Sequence, residues 1–165
     1  MNTRKIALCG LLTALAMILS YVEAILPLSF TVPGVKMGLP NIAILFIIYK
    51  IGFREACIVS LVRVVLTSIL FGNAFSLLYS IAGAVLSLLV MYLLRRSGKF
   101  GITSVSVAGG VAHNVGQIIV AIFALETGSL IYYLPVLCVS GTAAGLLIGL
   151  VSALLIKRVT LKKTE

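Results

Sequence analysis

Aspartate and tryptophan are absent from this chain of 165 residues, and charged side chains of any kind are scarce. Charged residues make up 10% of the chain and hydrophobic residues 61%, whereas a soluble domain usually has about a quarter of its residues charged. The mean hydropathy is +1.24. So few polar side chains cannot cover a water-soluble core of this size. The composition therefore predicts an integral membrane protein.

The scarcity of acidic groups limits the chemistry that the chain can perform. The acids are Glu23, Glu55, Glu126 and Glu165, and no pair of carboxylates is spaced to hold Mg²⁺ around a diphosphate. The sequence also has no P-loop for ATP hydrolysis and no evident Ser/His/acid constellation. We therefore expect binding and passage of a compound rather than catalysis, with no bound metal and no cofactor.

The basic residues give a net charge of +9, but they lie in short clusters between apolar runs. A soluble nucleic-acid-binding protein would carry its Lys and Arg side chains along one face. The clustering between apolar runs instead indicates membrane lipids as the surrounding medium. We expect no nucleic-acid partner.

Six apolar runs are candidates to cross a hydrocarbon core of about 30 Å. Short connections join them, so the sequence predicts a single membrane domain, a compact and mostly antiparallel all-α bundle of six transmembrane helices. The candidate spans are residues 6–26, 39–49, 55–71, 74–94, 102–125 and 130–156.

The basic clusters predict the orientation of this bundle. Lys36 falls in a loop on one side and Arg63 within a span, and the other Lys and Arg residues all fall on the opposite side. The positive-inside rule then places both termini in the cytoplasm of a multi-pass protein of the plasma membrane. The residues on the cytoplasmic side are Arg4, Lys5, Lys50, Arg54, Arg95, Arg96, Lys99, Lys157, Arg158, Lys162 and Lys163.

The second span is too short to cross a membrane by itself. Residues 39–49 would rise only about 16 Å at 1.5 Å per residue, and Pro33 and Pro40 oppose an earlier start of the helix. Either the bundle shields a short helix, or the preceding loop dips into the membrane. We expect Pro27–Pro40 to form an ordered extracellular cap, the alternative being a plain surface loop.

Arg63 is the main indicator of a functional site. A charged residue inside a span costs about 2.5–3.5 kcal/mol on insertion scales, and such residues usually serve a ligand or a partner. Counted from Arg54, Arg63 lies about 13 Å deep. A guanidinium suits a phosphate or carboxylate group, so we expect an anionic or amphipathic ligand.

Other polar residues are placed to complete a cavity in the outer half of the bundle. His113 and Gln117 are four positions apart and share a broad helix face with Asn114. Glu23 is a possible ion-pair partner of Arg63, although their estimated depths differ by about two turns. His113 suits either ligand contact or a buried neutral hydrogen bond. The predicted substrate-binding residues are Arg63, His113, Asn114, Gln117, Tyr79, Glu23, Asn41 and Lys36.

Two stripes of small residues predict close contacts between helices. Gly141, Gly145 and Gly149 recur every four residues in the sixth span, and we expect them to permit close approach of a neighbouring helix. Ala7, Gly10 and Ala14 form a second stripe in the first span. That stripe suits either packing inside the chain or docking on another protein.

Several runs resemble the Gx transporter family, which is also called heptaprenyl diphosphate synthase component I. Besides Arg63, the resemblance rests on four runs that together extend over nearly the whole chain. They are PGVKMGLPNIAILF (Pro33–Phe46), LLYSIAGAVLSLLVM (Leu77–Met91), SVAGGVAHNVGQ (Ser106–Gln117) and YLPVLCVSGTAAG (Tyr133–Gly145).

That family is similar to the S components of energy-coupling factor transporters, which have six helices and a capping loop after the first. The resemblance implies docking on an energy-coupling transmembrane subunit with ATPases, through an AxxxA motif that Gly10 and Ala14 match with glycine in the first place. It implies a subunit that binds a vitamin-like, flavin-like or isoprenoid compound in an outward-facing pocket. The alternatives are a non-catalytic accessory subunit in polyprenyl diphosphate or menaquinone synthesis or in membrane electron transfer, and a structural scaffold.

Overall fold

The computed structural model describes residues 3–25 and 38–159, which form six α-helices and one short 3₁₀ helix. Each predicted span corresponds to one helix, and the prediction of an all-helical protein is confirmed for these residues. The 3₁₀ helix, Gly128–Tyr133, leads directly into the last α-helix. The α-helices are α1 (Thr3–Ile25), α2 (Asn41–Lys50), α3 (Phe53–Phe71), α4 (Ala74–Ser97), α5 (Ile102–Ala124) and α6 (Leu134–Arg158).

Within the described residues, four helices are long and apolar enough to cross a membrane, namely α1, α4, α5 and α6 with its preceding 3₁₀ turn. The chain is therefore a multi-pass membrane-embedded protein. Helix α3 has 19 residues but carries Arg54, Glu55 and Arg63, and α2 has only 10 residues. Six crossings therefore stay a prediction. Residues 26–37, which include Lys36 and most of the predicted extracellular cap, lie outside the described residues.

The hydrophobic core lies at one end of the bundle. Its centre is the run 44–48 of α2, which packs against Cys9 and Leu12 near the start of α1. Ile102 at the start of α5 and Ile156 near the end of α6 pack against the same cluster. Starts of odd-numbered helices thus meet ends of even-numbered helices, so successive helices alternate in direction. We call this the basic end, because it carries Lys50, Arg54, Arg95, Arg96 and Arg158.

Helix α2 is enclosed by its neighbours. Ile44, Leu45, Ile47 and Ile48 are at most 1% exposed, and the helix packs against α1, α3 and α6. Ten residues rise about 15 Å, half of a hydrocarbon core of about 30 Å. The structure shows α2 as a short helix shielded by the bundle, while most of the preceding loop lies outside the described residues. The first residue of α2, Asn41, therefore lies near mid-depth of the bundle and is half-buried.

Arg95 of α4 holds the C-terminal end of α2. Its guanidinium donates to the carbonyl oxygens of Ile48 and of Tyr49, the latter at 3.4 Å. The guanidinium carbon also lies 5.0 Å from the centroid of the Tyr49 ring. The last carbonyls of a helix have no partner within the helix, and a cation there is favourable for the helix dipole. Arg95 therefore fixes α2 to the basic end of α4.

The glycine stripe of α6 lies against the backbone of α5. A Cβ atom at Gly145 would lie 2.6 Å from Cα of Val107, and one at Gly149 would lie 2.8 Å from Cα of Thr103. A Cβ atom at Gly141 would lie 3.0 Å from the carbonyl oxygen of Gly110. The two backbones are in contact along about two turns of helix, so any larger side chain at these positions would push the helices apart.

Candidate functional site

Arg63 lies on the buried face of α3, together with Val59, Ser60 and Val64. The residue is only 8% exposed, and its Nε has no hydrogen-bond partner within residues 3–25 and 38–159. A buried donor without a partner is costly, and most such groups in proteins are satisfied by protein, water or ligand. Arg63 therefore offers a donor inside the bundle that the described helices do not use.

Glu23, in the last turn of α1, contacts the turn that leads into α2. Its Oε1 accepts a hydrogen bond from the backbone N–H of Gly38 at 2.6 Å, and Gly38 O accepts in turn from the N–H of Asn41 at 2.8 Å. A carboxylate at the N-terminal end of a helix is favourable for the helix dipole. Helix α1 is thereby joined to the beginning of α2.

Gly38 is required at this turn. Its φ is +77°, a left-handed conformation that residues with a side chain rarely adopt. A Cβ atom there would also lie 2.9 Å from the amide nitrogen Nδ2 of Asn41. The turn therefore brings the Asn41 amide close to the backbone N–H that Glu23 holds.

The carboxylate of Glu23 also acts on Arg63. Its negative charge stabilises the buried guanidinium electrostatically. The depth estimate from sequence, which placed the two residues about two turns apart, counted only the rise of the helices. It did not include the reach of two long side chains. The carboxylate of Glu23 thus interacts electrostatically with Arg63 and with the N-terminal end of α2.

Asn41 and Arg63 lie at similar depths in the bundle. Each is nine positions from a basic residue at the basic end, Lys50 for Asn41 and Arg54 for Arg63, which corresponds to about 13 Å of helix rise. Helices α2 and α3 pack against each other. The N-terminal end of α2 and the guanidinium therefore both supply positive potential at mid-bundle, on the side away from the basic end.

His113 packs in the contact between α4 and α5. A Cβ atom at Gly83 would lie 2.8 Å from Cε1 and 2.9 Å from Nδ1 of the imidazole, and His113 is buried. The ring thus fills the space left by the missing side chain of Gly83. This position serves packing between helices, whatever further contact the ring makes.

Asn114 joins α5 to α6. Its Nδ2 donates to the carbonyl oxygen of Leu137 at 2.8 Å, and a Cβ atom at Gly141 would lie 2.9 Å from the same nitrogen. The residue is buried. Its amide N–H is therefore engaged by the backbone of α6, while Gln117 and Tyr79 are half-buried and stay candidates for ligand contact.

The stripe of Ala7, Gly10 and Ala14 faces away from the bundle. All three residues are exposed. Apart from the backbone of α1 itself, no atom of the described residues lies within 4 Å of the place that a Cβ atom would take at Gly10. The described residues leave this stripe exposed, and docking on another protein stays a prediction. The stripe is a flat, narrow strip on the outer surface of α1.

Sequence reasoning missed two groups at this site and its support. The backbone N–H of Gly38 carries no side-chain signal, although its place just before Leu39 and Pro40 marks it as the entry to α2. Arg95 was counted only as a topological charge, although it holds the C-terminal end of α2. Contacts to backbone atoms leave no pattern in side-chain spacing.

Comparison with known proteins identifies a family to which this chain is similar. The model of the family described as heptaprenyl diphosphate synthase component I matches residues 12–155. That range covers α2 to α5, most of α1 and nearly all of α6. No curated protein and no solved structure matches the chain.

Proposed function

Because the chain belongs to the heptaprenyl diphosphate synthase component I family, we propose that it is the substrate-binding membrane subunit of a small-molecule transporter. It lies in the plasma membrane with its basic end in the cytoplasm. It binds an anionic or amphipathic compound, vitamin-like, flavin-like or isoprenoid, in a pocket that opens on the opposite side.

The observation that carries this proposal is the buried guanidinium of Arg63. Its Nε donor has no partner among the residues that the structure describes, and the N-terminal end of α2 adds positive potential at the same depth. The carboxylate of Glu23 lies near two sources of positive potential, the guanidinium of Arg63 and the N-terminal end of α2, and does not offset both. A phosphate or carboxylate of a ligand supplies the acceptors that this arrangement favours.

The exposed strip of small residues on α1 favours a partner protein that docks there. Helices embedded in lipid associate through small residues that let their backbones approach, and Ala7, Gly10 and Ala14 expose such a strip. We propose that an energy-coupling transmembrane subunit with ATPases docks there and drives release of the bound compound into the cytoplasm.

The family description favours a second candidate. A component I implies a further component of the synthase, and the absence of aspartate argues against diphosphate chemistry by this chain itself. The chain would then be a non-catalytic membrane accessory subunit in polyprenyl diphosphate or menaquinone synthesis. Purification of the intact complex from membranes separates the two, because the partner found by mass spectrometry is either an ATPase-bearing module or a soluble prenyltransferase.

Arg63 gives the direct test of the binding site. The wild-type protein, Arg63→Gln and the control Arg158→Gln are purified in the same detergent, and compounds released by denaturation are identified by mass spectrometry. Arg158→Gln removes an exposed arginine at the basic end. We expect one phosphate- or carboxylate-bearing compound to accompany wild type and Arg158→Gln, and to be lost from Arg63→Gln.

Thermal unfolding of each variant shows whether Arg63→Gln is folded. Should a folded Arg63→Gln retain the compound at the wild-type ratio, the site assignment is wrong. Arg63→Lys refines the result, since a lysine keeps the charge but not the planar fork of donors. We expect it to retain the compound weakly.

A further inference from the structure

A lateral groove of about 280 Å³ lies between α3 and α4, outside the site described above. Its floor is formed by the buried residues Ser60 and Val64 of α3 and Ala84 and Leu88 of α4. Arg63 does not line it. Exposed apolar residues, among them Leu61, Val85 and Leu89, form its rims. The rim residues Leu61 and Val85 are 57% and 61% exposed, so the groove opens sideways towards lipid along its length.

The groove begins at the basic end. Phe53, the first residue of α3, lines it there and stacks on Tyr92 of α4 with the ring centroids 4.1 Å apart. From Phe53 to Val64 the groove follows α3 for about 16 Å of helix rise, roughly half of a hydrocarbon core of about 30 Å. A groove of this length is confined to one leaflet of the bilayer.

Two exposed arginines flank the beginning of the groove. Arg54 follows Phe53 on α3, on the side of the rim residue Leu61. Arg96 lies four residues after Tyr92 on α4, on the same helix face as Val85. Arg95 does not contribute its charge to the mouth of the groove, because its guanidinium donates to the carbonyl oxygens of α2.

The nearby acid lies on another face of α3. Glu55 acts electrostatically on Cys9 of α1, and a Cβ atom at Gly52 would lie 2.5 Å from its carboxylate. Helix α1 packs against α3, whereas the residues that line the groove belong to α3 and α4. The mouth of the groove is therefore positively charged, while its length is apolar.

We propose that this groove binds an anionic phospholipid of the leaflet at the basic end. One acyl chain lies in the groove, and the phosphate lies between Arg54 and Arg96 above the Phe53–Tyr92 stack. Basic residues at the ends of neighbouring transmembrane helices are suited to phosphate headgroups, and arginine binds phosphate through two parallel N–H donors. A phospholipid is the occupant because the groove opens into the bilayer along its whole length.

Native mass spectrometry in detergent tests the proposal. The protein is mixed with phosphatidylglycerol or with phosphatidylcholine of the same acyl chains, and a third arm uses farnesyl diphosphate. We expect one phosphatidylglycerol to bind in preference to phosphatidylcholine. The double variant Arg54→Gln/Arg96→Gln should weaken that binding by roughly thirtyfold, from the contribution of two cations near the membrane surface.

The double variant Arg4→Gln/Arg158→Gln is the matched control, because it removes two exposed arginines at the basic end away from the groove. Ala84→Leu fills the floor and should also reduce binding while both arginines remain. Equal binding of the two phospholipids, stronger binding of farnesyl diphosphate than of phosphatidylglycerol, or an equal loss in the control variant would each overturn the proposal. Arg63→Gln should leave phosphatidylglycerol binding unchanged, so this test does not depend on the transporter proposal.

Discussion

The carboxylate of Glu23 in α1 accepts a hydrogen bond from the backbone N–H of Gly38 at 2.6 Å. This bond joins the far end of α1 to the turn that starts α2. The same carboxylate stabilises the buried guanidinium of Arg63. One acidic side chain therefore connects α1, α2 and α3 at the depth where we propose that ligand binds.

Glu23 and Arg63 should be energetically coupled. We expect Glu23→Gln and Arg63→Met each to destabilise the protein, because each leaves a polar partner without its counter-charge. The double variant should lose less than the sum of the two, by a coupling free energy of about 0.5–3 kcal/mol. Unfolding of the four proteins by SDS titration in mixed micelles measures this term. Losses that simply add would show that the two charges do not interact.

We expect Asn114 to serve helix packing and Gln117 to contact the ligand. Asn114→Ala removes the hydrogen bond to Leu137, and we expect a loss of about 0.6–1.7 kcal/mol in stability, the range measured for such bonds in membranes. Gln117→Ala should change stability little but reduce the amount of bound compound. Both variants are assayed for unfolding and for retained compound. The reverse pattern would assign Asn114 to the ligand.

Gly145 should tolerate no side chain. Gly145→Leu places atoms where the backbone of Val107 lies, so we expect overpacking to cost about 1–3 kcal/mol or more and to reduce the yield of monodisperse protein. Ala143→Leu is the control, since Ala143 lies two residues away on the exposed face of α6. Size-exclusion profiles and melting curves compare the two. Similar behaviour of both variants would refute the contact.

We expect Arg95 to stabilise the C-terminal end of α2 and to slow hydrogen exchange there. Arg95→Gln shortens the side chain and removes the charge that faces the carbonyls of Ile48 and Tyr49, and we expect a loss of about 1–2 kcal/mol. Hydrogen exchange measured by mass spectrometry should increase around Ile47–Ile51. Arg158→Gln, at the same end, should leave this exchange unchanged. Unaltered exchange in Arg95→Gln would show that the packing of α2 suffices.

The orientation of the bundle can be tested with single cysteines. After replacement of the three native cysteines by serine, Ser97→Cys reports on the basic end and Thr127→Cys on the opposite end; both positions are exposed. A membrane-impermeant maleimide added to intact cells should label Thr127→Cys and not Ser97→Cys, as the positive-inside rule requires. Labelling of Ser97→Cys alone would place the basic end outside.

Much of the fold follows from side-chain pattern. Apolar runs and basic clusters predicted all six helices, with ends that differ from the observed bounds by a few residues. The starts of α1 and α3 came earlier than predicted, because Thr3, Arg4 and Phe53 continue a helix without being part of an apolar run. The spacing of Gly141, Gly145 and Gly149 indicated a close contact, and the structure shows the backbone of α5 there.

The site was less accessible to sequence reasoning. Helix rise gave the depth of Arg63 but not which way His113 and Asn114 face, since a helix lined with glycine has several faces that permit contact. His113 lies in the contact with α4, and Asn114 lies in the contact with α6. The bond between Glu23 and Gly38 joins residues far apart in the chain through a backbone atom, so no local periodicity reports it.

The shortness of α2 imposes an order on biosynthesis. A helix of ten residues is too short to be held across a membrane when it leaves the ribosome. Its apolar surface is covered by α1 and α3, which flank it in the chain, and by α6, which follows it only after α3, α4 and α5. Helix α2 therefore reaches its native environment only after α6 has been synthesised. A chain truncated before α6 would leave this segment uncovered and open to proteolysis.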